Sequence, residues 1–365
     1  MNAELNELTT KLSASWYVAM LSKDLKSTPV AVKLFGEELV AWRDARGVPV
    51  VMDRYCSHLG ASLADGKVVD GCIQCPFHHW RFDATGGCAH IPGHQPDVPR
   101  LVRIPSGARQ RIYATAERYG YIWVWYGSQA PQHPLPEVPT ADVGRPDHMV
   151  LRVAYDTRTT VLRIVENFYD AQHAAPVHAL PITAFDLKVF DASQASPEFA
   201  GMVKAGAWFG GSIEFKVSRY FGAMGMFANL IGLNMSRMYL TFDGYPGGCL
   251  MSVTLDNEEK YKLLQCVTPV DTRENVMHAL IAIPRRGRFR DLANYVLFGL
   301  QTKSAAGADV QLWNAMKPDG GGAFSRYDSL VLKYRSFYKQ WVDRVGREPA
   351  TPSAPEDMPA ARSVG

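Results

Sequence analysis

The pairs Cys56-x-His58 and Cys75-x-x-His78 constrain this chain more than any other feature of its sequence. Each offers one thiolate and one imidazole, and each lies beside a turn-forming Gly or Pro between short β-rich runs. Two loop tips can therefore aim four ligands at one point. A second pattern, Asp170-x-x-His173-x4-His178, follows well downstream. A fold that satisfies both must present two separate metal sites.

A Rieske 2Fe-2S centre needs two thiolates on one iron and two imidazoles on the other, and the imidazoles raise its potential to about −150 to +300 mV. Cys56 and Cys75 would hold one iron, His58 and His78 the other. The competing assignment is structural zinc, because Cys72-x-x-Cys75 is itself a zinc or redox spacing. Zinc leaves the matched pairs unexplained, and colour separates the two, a zinc protein being colourless and a 2Fe-2S protein red-brown. His79 follows His78 and could also serve by chemistry alone; spacing favours His78. Cys88, His90 and His94 lie on a Gly-rich stretch and read as packing or surface residues, while Trp80 reads as a shield.

Non-haem iron(II) that activates dioxygen takes two His and one carboxylate on one face and leaves the other face open. His173 and His178 supply the imidazoles. A spacing of five misses one face of a regular helix, but Pro176 lacks an N–H and disturbs the turn, so the rings can converge. Asp170, one turn before His173, is better placed to hydrogen-bond that ring's other nitrogen than to ligate. Asp309, in the helical stretch from Ala305 to Trp313, is the best distant carboxylate; a solvated helix Asp is an equal alternative, against which its Ala and Gly neighbours hint at burial. Asn167 could tune water at the iron, or simply cap or pack. A zinc hydrolase is the rival for His173 and His178, weakened by the lack of a His-Glu-x-x-His pattern.

Length and pattern give the frame. The 365 residues, 47% of them hydrophobic, allow two domains. Short strands are predicted at 30–35, 38–43, 49–53 and 121–125, a small all-β domain over 1–130. Pro131, Pro134, Pro136 and Pro139 then mark a connector. The catalytic domain, 131–347, is predicted to have a strand at 149–157, a helix at 159–172, an antiparallel sheet with strands at 212–217, 238–242, 250–255, 262–268 and 276–283, and helices at 289–315 and 330–345. The architecture is α+β. Residues 348–365 read as a disordered tail. A net charge of +3 is too small to imply nucleic acid. No apolar run approaches membrane-spanning length, and Met1 to Thr10 lacks a secretory pattern, so a cytoplasmic protein with reduced cysteines is expected. Cys249 and Cys266 read as small buried hydrophobes.

From Trp16 to about Val345 these features resemble the Rieske non-haem iron oxygenases. Glu166-Asn167-x-x-Asp170-x-x-His173-x4-His178 is similar to the family's iron-site helix, and Asp309 falls where its third ligand is expected. Most members have Gly after the second His ligand, whereas this chain has His79. That departure, with Val51-Met-Asp-Arg54, Gly71 to Trp80, Ala116 to Gly120, Val161 to Asp170 and Lys317 to Gly322, is shared with an arylamine-oxidising branch of the family. The resemblance implies a Rieske domain followed by a helix-grip catalytic domain, with a 2Fe-2S cluster, mononuclear Fe(II) and dioxygen as co-substrate. It implies oxidation of an arylamine nitrogen to nitro in antibiotic biosynthesis, with C–H hydroxylation or dealkylation of a ring compound as the alternative. A bare electron-transfer or metal-sensing module is disfavoured by the second metal pattern. Electrons would come from NADH through a separate flavin or iron-sulfur reductase, since no Gly-x-Gly-x-x-Gly opens a helix after a strand here. Members form head-to-tail trimers in which an Asp like Asp170 bridges one subunit's cluster to the next subunit's iron. Pocket walls are expected from Phe168, residues 224–234 and the helix face before Asp309.

Overall fold

The structure, a computed structural model, describes residues 8–92, 104–218, 235–287, 291, 295–296, 306–317 and 321–347. Its first part is all β. Val30–Leu34, Glu37–Arg43, Pro49–Asp53 and Ile112–Tyr113 form one four-stranded sheet, and Lys67–Val69, Cys72–Gln74, Arg81–Phe82 and Cys88–His90 form a second. A three-stranded sheet, ordered Ser15–Leu21, Tyr121–Tyr126, Thr115–Arg118, joins this part to the rest.

Tyr121–Tyr126 shows how. Successive strand side chains point to opposite faces. Ile122 and Val124 therefore enter a core with Leu39, Ala41 and Val51, whereas Tyr121, Trp123 and Trp125 enter a larger core with Val161, Tyr334 and Trp341. One aromatic strand serves two cores, which explains its near-total burial.

The larger part is a seven-stranded antiparallel sheet ordered His148–Thr157, Asn275–Pro284, Glu258–Pro269, Gly248–Leu255, Arg237–Tyr245, Phe209–Val217, Ile182–Val189. The helix Ser329–Val342 packs against the helix Val161–Asn167 and against the sheet's Ile182–Val189 end. The predicted strands are present, most with small extensions and the one expected at 30–35 ending at Leu34; Ile182–Val189, an edge strand exposed along much of its length, lies beyond them.

The helix predicted over 159–172 is shorter. It runs Val161–Asn167, and a second helix, Ala174–His178, begins after a break. Pro176 accounts for this. Its ring and missing N–H forbid a helical bond to residue 172, but in the first turn of a new helix that N–H would be unpaired anyway. The disturbance thus lies upstream of the proline, and Ala179, with φ +51°, ends the second helix. Of the helix predicted at 289–315, residues 291, 295–296 and 306–315 are described and helical. The tail at 348–365 and the apolar 224–234 segment lie outside the described residues. Among the described residues no helix is long and apolar enough to cross a membrane.

His133 gives this fold a pH dependence. Its buried ring sits edge-on to Trp125 and Trp341, 4.8 and 5.0 Å between centroids, and Nδ1 donates to the Pro134 carbonyl at 2.8 Å. Burial pushes its pKa down to about 4. The unfolded chain, with an ordinary His near 6.5, binds the proton better, so the stabilisation is complete above about pH 6.5 and is lost as pH falls toward 4. Between pH 7.5 and 5 this one residue should remove about 2 kcal/mol of stability. Thermal melts across that range should show the fall, and His133→Phe should remove about half of the part due to buried histidines, since burial pushes His278 down to about 4 as well.

Candidate metal centres and active-site cavity

Two loops with the same hydrogen-bond frame carry the first ligand set. In one, Cys56 N–H donates to Ala61 O and Gly60 N–H to Cys56 O, both at 2.9 Å; in the other, Cys75 N–H donates to Trp80 O at 2.8 Å and His79 N–H to Cys75 O at 3.1 Å. The fifth position of each frame is left-handed, with φ +75° at Gly60 and +60° at His79. The glycine common after the second His ligand in similar proteins thus has a physical cause here, because a Cβ is disfavoured in that conformation. His79 accepts the strain and is exposed to solvent.

The loops bring together all four expected residues. Cys56 and Cys75 are 3% and 2% exposed, and burial together with the adjoining Cys75 pushes the Cys56 thiol up to about 11. His58 and His78 are exposed, with ring centroids 4.7 Å apart. Buried paired thiols beneath exposed paired imidazoles fit a cluster with one Cys-bound and one His-bound iron. Trp80 stacks on His58 at 4.3 Å with 5° between planes, so it fixes that ring's orientation. Cys72 pairs in register with Val69, and its charged neighbours are Asp83, Arg81 and Asp70; it joins neither loop tip, which removes the zinc spacing. Cys88 donates to His90 O at 3.6 Å within its own strand. His94 lies outside the described residues.

Gln110, which no sequence pattern singles out, holds the first loop. Its buried amide accepts from Ser57 N–H at 2.9 Å and donates to Asp53 O at 3.1 Å and Tyr55 O at 2.9 Å. Three bonds to backbone from one side chain fix the approach to Cys56.

The second ligand set gathers from two helices: His173 precedes and His178 ends the helix Ala174–His178, and Asp309 lies on the helix at 306–315. The ligand atoms of His173, His178 and Asp309 lie within 4.8 Å of one another. His173 and His178 have ring centroids 5.2 Å apart, and His178 Nε2 is 3.4 Å from Asp309 Oδ1. Asp170 Oδ2 is 3.4 Å from His173 Nδ1, and Asp170 Oδ1 accepts from Gln172 N–H at 2.8 Å. Asp170 therefore stands behind His173, outside the triad. Asn167 Nδ2 is 3.4 Å from His173 Nε2 and also bonds to Asp309. Burial raises the Asp309 carboxyl and lowers His178, each form shifting toward neutrality. The Asp309 Oδ1 atom is buried without a hydrogen-bond partner. An unpaired carboxylate oxygen facing two imidazoles, with one face open, fits the donor set of a non-haem iron(II) site.

The arrangement depends on a residue whose role the sequence did not reveal. Glu166, next to Asn167, accepts from Arg335 Nε at 2.7 Å and Nη2 at 2.9 Å, and both side chains are buried. This pair ties the helix Val161–Asn167 to the helix Ser329–Val342.

His173, His178 and Asp309 open into a cavity of about 610 Å³. One face of the seven-stranded sheet forms its wall. Cross-strand neighbours such as Ile213 and Leu240, or Phe215 and Met238, put apolar side chains into it. Phe168 lines it as expected, and Ala306 and Ala308 line it from the helix that carries Asp309.

Comparison with known proteins places the chain. Residues 15–108 match a family model described as Rieske [2Fe-2S] domain, and residues 122–342 match one described as 3-ketosteroid 9alpha-hydroxylase C-terminal domain. The aminopyrrolnitrin oxygenase PrnD of Pseudomonas fluorescens is 63% identical over 343 residues, covering 94% of each chain. A 3-ketosteroid-9-alpha-monooxygenase oxygenase component of Rhodococcus rhodochrous is 24% identical, covering 94% of this chain and 86% of that one. Among solved structures, dicamba monooxygenase bound to 3,6-dichlorosalicylic acid superposes with a TM-score of 0.72 at 18% identity, covering 90% of this chain and 97% of the other. Its likeness is one of fold.

Proposed function

The chain belongs to the Rieske non-haem iron oxygenases, and on that premise we propose that it oxidises the nitrogen of an arylamine toward nitro with dioxygen. The observation that carries the proposal is a His-His-Asp cluster opening into an apolar cavity of about 610 Å³, large enough for an aromatic substrate. The 63%-identical relative, by its name an oxygenase of aminopyrrolnitrin, supports an amine as the group oxidised.

In this proposal Cys56, Cys75, His58 and His78 hold a 2Fe-2S cluster, and His173, His178 and Asp309 hold Fe(II). When bound, the two groups supply single electrons and a site for dioxygen activation. The chain's own residues do the rest. Apolar walls exclude water and press the aryl ring against the triad. Asn167 directs its amide between His173 and Asp309, where it steadies both. Asp170 holds the His173 ring through Nδ1 and fixes which nitrogen faces the triad. Electrons reach the chain from NADH through a separate flavin or iron-sulfur reductase. We further propose a head-to-tail homotrimer, because Asp170 is part-exposed and the His58–His78 pair is exposed on its own surface, as an electron path crossing between subunits requires. A cytoplasmic location, where reduced nicotinamide is available, completes the proposal.

The test is turnover by iron-loaded protein with a flavin reductase, NADH, labelled dioxygen and a panel of aryl amines and aromatic hydrocarbons. Label in the amine-derived nitro group is expected. Label entering ring carbon and never nitrogen would instead establish C–H hydroxylation. In the same assay Asp170→Asn is expected to lower turnover by about 10- to 100-fold, since residues that orient a metal ligand carry effects of that size. The red-brown colour and most of the iron should remain. Unchanged turnover would refute the role of Asp170.

A further inference from the structure

Gln265 is a buried polar side chain of the cavity's sheet wall that the chemistry above leaves unused. It lines the cavity, it is 6% exposed, and its Oε1 is buried without a hydrogen-bond partner. No described residue pairs it. The cross-strand neighbours are Cys249 on one side and Ala279 on the other, and the same-face neighbours along its own strand are Leu263 and Val267. A carboxamide is costly in such a ring unless something pairs it. It is not needed to hold the metal set, which comes from the helical elements around 161–178 and 306–315.

We propose that Gln265 is a specificity-determining residue, whose amide oxygen accepts a hydrogen bond from a second N–H of the substrate, separate from the nitrogen being oxidised. The proposal rests on the cavity being the substrate site, and it deepens the arylamine assignment to a class, aryl amines that carry a second hydrogen-bond donor. The reasoning is geometric. The sheet wall is otherwise apolar beside Gln265, so an aromatic body can lie against Leu263 and Ala279 while one donor reaches the amide. The amine is then left for the triad end of the cavity. A substrate without the donor must bury the amide unpaired, and a site built around a buried polar group discriminates strongly against such a molecule.

The experiment uses the iron-loaded enzyme and two probes, an aryl amine with an N–H on a linked ring and its N-methyl counterpart. The variants are Gln265→Met, which keeps length and unbranched shape, and Gln265→Glu, which keeps an acceptor. Melting temperature and cluster absorbance check that both fold and load. For wild type, KM should be about 10-fold or more lower for the N–H amine than for the methylated one. Gln265→Met should raise KM for the N–H amine by a similar factor, leave kcat within about twofold, and leave the methylated amine unchanged, so that the preference disappears. Gln265→Glu should retain part of it. Equilibrium binding of the same probes, read by tryptophan fluorescence, should show the same loss.

A preference that survives in Gln265→Met, or the absence of any preference in wild type, overturns the assignment while leaving arylamine oxidation standing if turnover is seen. Gln265-dependent preference in binding, without oxidation of either amine, would sustain the assignment and sink the arylamine activity. Binding of neither probe overturns it as well.

Discussion

Asp309→Ala is expected to strip the mononuclear iron from the protein and reduce oxygenation to background, with the red-brown cluster intact. Asp309 brings a negative charge into a half-buried space shared with two imidazoles, and its Oδ1 lies 3.4 Å from His178 Nε2. Burial raises its carboxyl although His178 and His173 pull it down, so among the described residues the charge is only partly compensated. A divalent iron supplies the rest. Removing the carboxylate leaves two neutral ligands, an incomplete set for ferrous iron. Since residues that merely orient a ligand are worth about 10- to 100-fold, loss of a ligand should exceed about 100-fold in turnover. Iron and acid-labile sulfide analysis gives the check. Iron should fall by the mononuclear share alone while sulfide stays constant, and unchanged iron content would show that Asp309 is no ligand. Asp309→Glu, which keeps the charge on a longer arm, should retain more iron than Ala.

The parts of this site that sequence revealed are those in which neighbours in the chain are neighbours in space. Cys56 with His58, and Cys75 with His78, sit in single turns, so their spacing already carries their geometry. His173 and His178 are nearly as local, although the helix break that brings them together falls at 168–173, ahead of Pro176. The same holds for the strands. Pro49–Asp53, a short apolar run buried over its first four residues, matches its predicted limits. Ile182–Val189 escaped notice because an edge strand pairs on one side only and tolerates Asp186 and Lys188 outward.

What was illegible depends on tertiary contact. Gln110 is far in sequence from the Cys56 loop that it braces, and a lone Gln has no pattern around it. Gln265 reads as an ordinary polar residue in a β run; only the fold, which sets it between Cys249 and Ala279, shows that its amide oxygen is buried without a partner. Cys249 and Cys266 are buried as expected, yet Cys266 Sγ lies 2.8 Å from the Tyr245 hydroxyl, a polar contact that composition could not suggest. Asp309 was a candidate from its helical stretch, with Ala and Gly neighbours hinting at burial, and from the family resemblance; its distance to the two histidines is what the fold adds.

Glu166→Ala is expected to be the most destabilising single change near the iron site. Glu166 and Arg335 form a two-point ion pair with side chains 9% and 4% exposed, and the guanidinium also lies 4.8 Å over the Phe324 ring. Arg163 is a more distant second cation, at 3.4 Å. Forming such a pair gains little net free energy, because both charges are desolvated, but deleting one partner strands the other. The expected loss is about 3 to 5 kcal/mol, a large part of the roughly 5 to 15 kcal/mol that holds a typical domain folded. Thermal or denaturant unfolding would measure it. The consequence for function follows from position, since Asn167 is the next residue and lies between His173 and Asp309. Loosening the helix Val161–Asn167 from Ser329–Val342 should therefore lower iron retention as well as stability. Replacing both partners at once, Glu166→Leu with Arg335→Met, removes the stranded charge and should recover much of the lost stability. A double replacement as unstable as Glu166→Ala would mean that the pair contributes through its own attraction, and an unchanged melting temperature in Glu166→Ala would mean that the two helices are held together by packing alone.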